Sequence, residues 1–216
     1  MSLHTVVKQV LPPFLFGTLR SLHHQLFPHR DNYLRGNYSS WSEAMHASTG
    51  YDSDIILQKT KDTLVKVKSG EAVYERDSVL FGEIQYSWPL LAGLTWAAAR
   101  SGGRLNVLDF GGSLGSTYFQ NRAFLNKLSD VRWSIIEQPE YVGVGKELFE
   151  DSILRFYSTI DDYSIGNRPD VIILSAVLQY LENPYEMLSR LLELHPDCII
   201  LAQTPFWEGK GDHLCV

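Results

Sequence analysis

The stretch that decides the fold is NVLDFGGSLG at residues 106–115, an apolar run that ends in an acid and enters a loop of small residues. Residues 105–110 have the composition of a short buried β-strand, and the residues after Gly115 can form a helix. Glycines at such a strand-to-helix turn permit positive φ and let a ligand approach the backbone and the first helical amides. The stretch therefore predicts a ligand-binding loop at the carboxyl end of a strand.

The spacing of the small residues separates the ligands that such a loop could hold. A dinucleotide loop has glycines at G-x-G-x-x-G, and neither Gly111 nor Gly112 begins that pattern. A P-loop would need Gly-Lys-Ser/Thr, which does not follow either. An NAD-dependent enzyme is thus disfavoured. What remains is acid-x-Gly-x-small-x-Gly, formed by Asp109, Gly111, Ser113 and Gly115.

Short β-rich runs alternate with stretches that can form helices along the rest of the chain. The runs cover residues 105–110, 132–137, 153–158, 170–175 and 197–203. Two of them, around 171–174 and 198–201, are apolar throughout, as expected for central strands covered by helices on both faces. This alternation predicts an α/β fold with a Rossmann-like parallel sheet flanked by helices.

An acid also ends the second β-rich run. Glu137 stands 22 residues after Gly115 and is followed by Gln138 and Pro139. A carboxylate at the tip of this strand can accept hydrogen bonds from both hydroxyls of a ribose. We therefore expect Glu137, together with the adjoining Gln138, to contact a cofactor that contains a nucleoside.

These features resemble the class I S-adenosylmethionine-dependent methyltransferases. Residues 109–115 are similar to motif I of that family, an acid-x-Gly-x-Gly-x-Gly loop that passes under the cofactor, with Ser113 at the middle glycine. The resemblance covers about residues 105–206. It implies S-adenosylmethionine as the cofactor and in-line methyl transfer as the reaction.

The same resemblance implies contacts after the later strands. Thr159 and Ile160 would lie beside adenine, and Ser175 and Ala176 beside the methionine part of the cofactor. The predicted cofactor-binding residues are therefore Asp109, Gly111, Gly112, Ser113, Gly115, Glu137, Gln138, Thr159, Ile160, Ser175 and Ala176.

The methyl acceptor should approach over the carboxyl ends of the strands. His195 stands before a proline on the side away from that edge, and His213 lies in a glycine-rich tail, so no catalytic residue is predicted. Candidates for the surroundings of the acceptor are Gln179, Tyr180, Gln203 and Trp207, with Tyr86 and Trp88 as candidates to roof the pocket.

The residues before the glycine loop favour helices. Ser40 and Glu43 have capping-box spacing and predict a short helix. Residues 53–69 have the pattern of a second helix, and residues 77–100 that of a helical pair or of one helix interrupted at Pro89.

We expect a helical segment at residues 1–103 that caps a cofactor domain at residues 104–216. Within 13–28, apolar residues recur at helical spacing with basic residues between them. That pattern predicts a helix that either docks on its own domain or makes weak contact with a membrane surface. No apolar span in the first 28 residues is long enough to cross a bilayer.

Composition narrows the class of protein further. The 216 residues, 44% of them hydrophobic, can build one sizeable core, and a net charge of -6 disfavours nucleic-acid binding. The only cysteines, Cys198 and Cys215, form neither a disulfide framework nor a metal-ligand pattern. We therefore expect a cytoplasmic globular enzyme without a metal ion.

The end of the chain raises a separate expectation. Methyltransferases of this class normally add two strands after the fifth, and here Val216 follows the fifth run closely. A sheet without those strands has a bare apolar edge. We expect that the chain is truncated, that it forms a homodimer along this edge, or that its tail covers the edge.

Outside the glycine loop, residues 36–44, 50–51, 74–77 and 204–206 are similar to a narrower group of methyltransferase-like proteins. Members of that group are associated with bacterial surface-glycan synthesis. The resemblance implies a methyltransferase for a small-molecule or glycan-precursor acceptor. The alternative is a catalytically silent Rossmann-like domain that acts as a binding partner in a surface-polysaccharide pathway.

Overall fold

The computed structural model describes residues 36–48, 54–206 and 213–216. The chain divides into two compact units, residues 1–48 with 211–216 and residues 49–210. The described part of the first unit contains helix α1, Trp41–Ala47. Ser40 Oγ accepts a hydrogen bond from the Glu43 amide (3.2 Å), and the Glu43 carboxylate accepts one from the Ser39 amide (2.9 Å). The predicted capped helix is confirmed.

The second unit is built on a parallel five-stranded sheet of order β5-β4-β3-β6-β7. A small antiparallel hairpin precedes this sheet. In chain order the strands are β1 Tyr74–Arg76, β2 Val79–Phe81, β3 Arg104–Phe110, β4 Asp130–Ile136, β5 Leu154–Tyr157, β6 Val171–Ser175 and β7 Cys198–Ala202. The predicted Rossmann-like α/β fold is confirmed, and each predicted run lies on one of the sheet's strands.

Helices lie before the sheet and between its strands. They are α2 Asp54–Ser69, α3 Trp88–Arg100, α4 Ser116–Leu125, α5 Pro139–Leu148, α6 Ile160–Ser164 and α7 Pro184–Leu192, with a single 3-10 turn at Leu178–Tyr180. The second predicted helix, at 53–69, is α2. Residues 13–28 lie outside the described residues. Among the described helices, none is long and apolar enough to cross a membrane.

Each face of the sheet carries its own hydrophobic core, because successive strand residues point to opposite faces. Val107 packs in the cluster that contains Trp133, whereas Leu108 packs in the cluster that contains Tyr163 and Leu191. All of these residues are fully buried. This two-sided burial explains why the central strands are apolar throughout.

Helices α2 and α3, which precede β3, belong to the same unit as the sheet. Leu64 of α2 and Leu94 of α3 are fully buried in the cluster that contains Val107. The apolar faces of α2 and α3 thus form part of the sheet's core. The predicted boundary between residues 103 and 104 lies inside this core.

The prediction for residues 77–100 was partly wrong. The β1-β2 hairpin and its connection occupy the first part, and one helix, α3, then runs to Arg100. Pro89 stands in the first turn of α3. There its missing N–H breaks no helical hydrogen bond, so the proline begins the helix instead of interrupting it.

Strand β7 is one of the two edge strands of the sheet among the described residues. Leu201, the residue before the last of this strand, is 41% exposed. The edge strand therefore presents an apolar side chain to solvent, and association of two copies along it stays a prediction.

Candidate functional site

The order of the strands marks the end of the sheet at which a ligand crevice is expected. Strand β3 pairs with β4 on one side and with β6 on the other, so the connections that leave β3 and β6 diverge. Open α/β sheets bind ligands outside the carboxyl ends of the strands at such a point. The glycine loop, residues 111–115, follows β3 there, and residues 176–180 follow β6.

The glycine loop is held in a tight turn by left-handed backbone. Gly111, Ser113 and Gly115 have φ of 72°, 53° and 103°. The Gly111 amide donates to the Ile136 carbonyl at 2.9 Å, and the Gly115 amide donates to the Gly112 carbonyl at 3.0 Å. Positive φ is nearly free of strain at glycine, which explains the glycines at both ends of the turn.

Two of the glycines have no room for a side chain. A Cβ at Gly111 would lie 2.6 Å from Val177 Cγ2, and a Cβ at Gly112 would lie 2.6 Å from the Asp109 carboxyl carbon. The glycine loop therefore packs between Val177, which follows β6, and Asp109, near the end of β3. Its backbone, with no side chain at these two positions, can approach a ligand closely.

Asp109 lies beneath this loop and is only 1% exposed. Its Oδ2 accepts a hydrogen bond from Trp133 Nε1 at 3.3 Å. Burial raises the pKa of Asp109 to about 7, against the opposing effect of the Trp133 donor, and the nearby Glu137 charge adds to the rise. The carboxyl group supports the loop from below; a direct contact with cofactor stays a prediction.

Glu137 follows the neighbouring strand, β4, and reaches the loop. Its Oε1 accepts from the Ser113 amide at 3.3 Å, and its Oε2 accepts from the Gln138 amide at 2.7 Å. Burial raises the pKa of Glu137, and these two amides oppose that rise. Each carboxylate oxygen has a second acceptor position, so the anchored group can still receive two ribose hydroxyls. The structure thus brings the second predicted acid to the glycine loop.

The remaining predicted contacts are distributed along the same edge of the sheet. Ser175 is the last residue of β6, and Ala176 has φ of 56° and donates its amide to the Ala202 carbonyl at 2.9 Å. Gln138 is exposed at the start of α5. Ile160 is 7% exposed and packs in the core, so little of its side chain can touch a ligand.

Thr159 caps the short helix α6, because its Oγ1 accepts a hydrogen bond from the Asp162 amide at 3.0 Å. We expect Thr159→Ala to lower the free energy of unfolding by about 1 kcal/mol through loss of this cap. Urea denaturation measures that loss. Thr159→Ser keeps the oxygen and serves as the matched control. If both variants unfold at the same urea concentration, the cap does not contribute as described.

Sequence analysis missed two side chains that shape the site. Trp133 donates a hydrogen bond to the buried Asp109. Glu75 of β1 accepts one hydrogen bond from Ser116 Oγ and another from the Ser78 amide, the latter at 2.7 Å. The contact with Ser116 joins the hairpin to the helix after the glycine loop. It spans 41 residues, and nothing in the local sequence pattern signals it.

Of the two histidines considered as bases, only His195 belongs to the unit that contains the sheet. His195 stands between α7 and β7, at the amino end of the strand and thus at the end of the sheet opposite the crevice. His213 belongs to the other unit. Within the described ranges, no group of histidine, cysteine and acidic residues could hold a metal ion.

No protein-family model matches the chain, and no curated protein is similar to it in sequence. Solved structures that are similar include the bifunctional kinase-methyltransferase WbdD, with 21% identity over 56% of this chain and 29% of that chain, at a TM-score of 0.37. Magnesium protoporphyrin IX methyltransferase (ChlM) from Synechocystis PCC 6803, solved with bound SAM, shares 19% identity over 71% of this chain and 77% of that chain, at 0.38.

A further similar structure is N-methyltransferase NodS from Bradyrhizobium japonicum, with 20% identity over 50% of this chain and 63% of that chain, at a TM-score of 0.33. The chain spans about 30% of the length of WbdD. These neighbours are methyltransferases. By its own strand order, β5-β4-β3-β6-β7, and the glycine loop after β3, the chain has a Rossmann-like α/β fold.

Proposed function

We propose that the crevice binds S-adenosylmethionine and that the chain transfers its methyl group to a small-molecule or glycan-related acceptor. The observation that carries this proposal is the Glu137 carboxylate, fixed by the Ser113 and Gln138 amides beside the glycine loop. A carboxylate held in this way at the end of β4 has acceptor positions for the two ribose hydroxyls.

The residues around the crevice also fit the rest of this cofactor. Gly111 and Gly112 bring no side chain to the loop, and the Gln179 amide oxygen after β6 is buried without a donor among the described residues. S-adenosylmethionine has hydroxyls and amines that can donate to carboxylate and amide oxygens. These donors of the cofactor would therefore complement the oxygens of Glu137 and Gln179.

Charge favours this cofactor over NAD. Asp109 and Glu137 both lie at the crevice, whereas residues 109–115 and 137–138 contain no lysine or arginine. The Glu137 carboxylate, with no basic side chain in these residues, would favour the cationic sulfonium of S-adenosylmethionine over the pyrophosphate of NAD. The crevice is thus suited to a nucleoside that carries positive charge.

The bound cofactor would supply an electrophilic methyl group on its sulfonium. The work of the chain is then to hold that group in line with the acceptor and to keep water out. Glu137 would grip the ribose, residues 111–115 would lie under the cofactor, and Ser175 with Ala176 would border its methionine part. A hydroxyl acceptor, as in a glycan, also needs a base to take its proton.

Titration calorimetry tests the choice of cofactor. We expect the full chain to bind S-adenosylhomocysteine and S-adenosylmethionine saturably and to give no heat with NAD under the same conditions. Binding of NAD, or binding of none of the three, would contradict the proposal. Methyl-labelled S-adenosylmethionine with candidate glycans then tests transfer, and binding without transfer to any acceptor supports the catalytically silent domain.

A further inference from the structure

Gln179, in the turn that follows β6, carries an unpaired polar atom. It is the middle residue of the 3-10 turn after β6, and its side-chain Oε1 is buried with no donor within the residues that the structure describes. Burial of an acceptor without a donor destabilises a folded protein. Such atoms are uncommon, and each one therefore requires an explanation.

The turn that carries Gln179 is joined to the glycine loop. Val177, two residues earlier, fills the space next to Gly111, where a Cβ would lie 2.6 Å from its Cγ2. The Tyr180 amide donates to the Val177 carbonyl at 2.9 Å and closes the turn. The backbone of the turn that carries Gln179 is therefore held next to the point where β3 and β6 diverge, the position at which open α/β sheets bind ligands.

The order of the strands identifies the donor. In the proposed function, adenine lies at β5 and ribose at β4, on one side of β3, and the methionine part lies at β6 on the other side. The adenine amine and the ribose hydroxyls are thus at the far side of the crevice. On the methionine part the carboxylate only accepts hydrogen bonds, whereas the α-ammonium group has three donors.

The geometry points to a hydrogen bond from the α-ammonium group of S-adenosylmethionine to the amide oxygen of Gln179. This inference rests on the proposed function and adds a cofactor-binding residue to it. The ammonium would satisfy the buried oxygen, and the oxygen would select amino-acid nucleosides over nucleosides without an amino group. The other occupant to be tested is a hydroxyl or amine of the methyl acceptor.

The test measures the affinity of two ligands for three forms of the full chain. The ligands are S-adenosylhomocysteine and its deamino analogue, in which hydrogen replaces the α-amino group. The forms are the wild type, Gln179→Met, which has nearly the same volume without an acceptor, and Gln58→Met on the exposed face of α2 as control. We expect Gln179→Met to lower the affinity for S-adenosylhomocysteine at least about tenfold and to leave the affinity for the analogue unchanged.

The outcomes separate the two proposals. If Gln179→Met leaves the affinity for S-adenosylhomocysteine unchanged, or lowers the affinity for both ligands equally, this inference is overturned. An unchanged affinity combined with lost methyl transfer would instead assign Gln179 to the binding of the methyl acceptor. If the wild type binds neither ligand, the proposed function itself fails. Gln179→Glu provides a second variant that keeps the acceptor, and it should bind S-adenosylhomocysteine at least as tightly as the wild type. Thermal unfolding of each variant verifies its fold.

Discussion

Replacing Glu137 with glutamine should weaken the binding of S-adenosylhomocysteine by about 100-fold, the largest loss expected of any single change at the crevice. The carboxylate would accept both ribose hydroxyls, and each charge-assisted hydrogen bond is about twice as strong as a neutral one. The side chain of glutamine offers only one acceptor oxygen. Its NH2 group would face the Ser113 or the Gln138 amide, both of which donate to the carboxylate in the wild type. Calorimetry with purified wild type and variant measures the difference.

Glu140→Gln, three residues along the chain, is the matched control, because Glu140 is exposed in the first turn of α5. It removes the same charge and should leave the affinity unchanged. Since burial raises the pKa of Glu137, wild-type affinity should also fall as the pH is lowered through that raised pKa. An equal loss in both variants would mean that net charge, and not a grip on the ribose, governs binding.

The parts of the fold that follow from local pattern were predicted from the sequence. Continuous apolar runs such as residues 171–174 are typical of buried strands, and the spacing of Ser40 and Glu43 is typical of a helix start. The glycine loop and Glu137 were found in the same way. Both stand at strand ends, and parallel strands bring their carboxyl ends to one edge.

The parts that depend on contacts between distant residues were not predicted. Asp109 is buried and accepts a hydrogen bond from Trp133 of the neighbouring strand, a contact between residues 24 positions apart. A proline can end a helix or begin one, and Pro89 stands in the first turn of α3. The unpaired oxygen of Gln179 likewise results from packing, which periodicity does not describe.

The burial of Asp109 should make the stability of the protein fall as pH rises. Its pKa is 3.8 in an unfolded chain and about 7 in the fold, so the folded state holds the proton more tightly. Between these values the folded state binds more protons than the unfolded state, and raising the pH therefore destabilises the fold. The penalty on the ionised form is about 4 kcal/mol when fully developed above pH 7.

Asp109→Asn removes this penalty while its amide oxygen can still accept from Trp133 Nε1. Relative to wild type, the variant should gain up to about 4 kcal/mol in free energy of unfolding between pH 4 and pH 8, measured by urea denaturation at both values. Asp130→Asn, at an exposed aspartate on β4, controls for the loss of one charge. The same difference from wild type at both pH values would show that Asp109 is not held protonated. The gain should be accompanied by unchanged binding of S-adenosylhomocysteine near pH 5, where the wild-type group is already neutral and the loop rests on the same uncharged support.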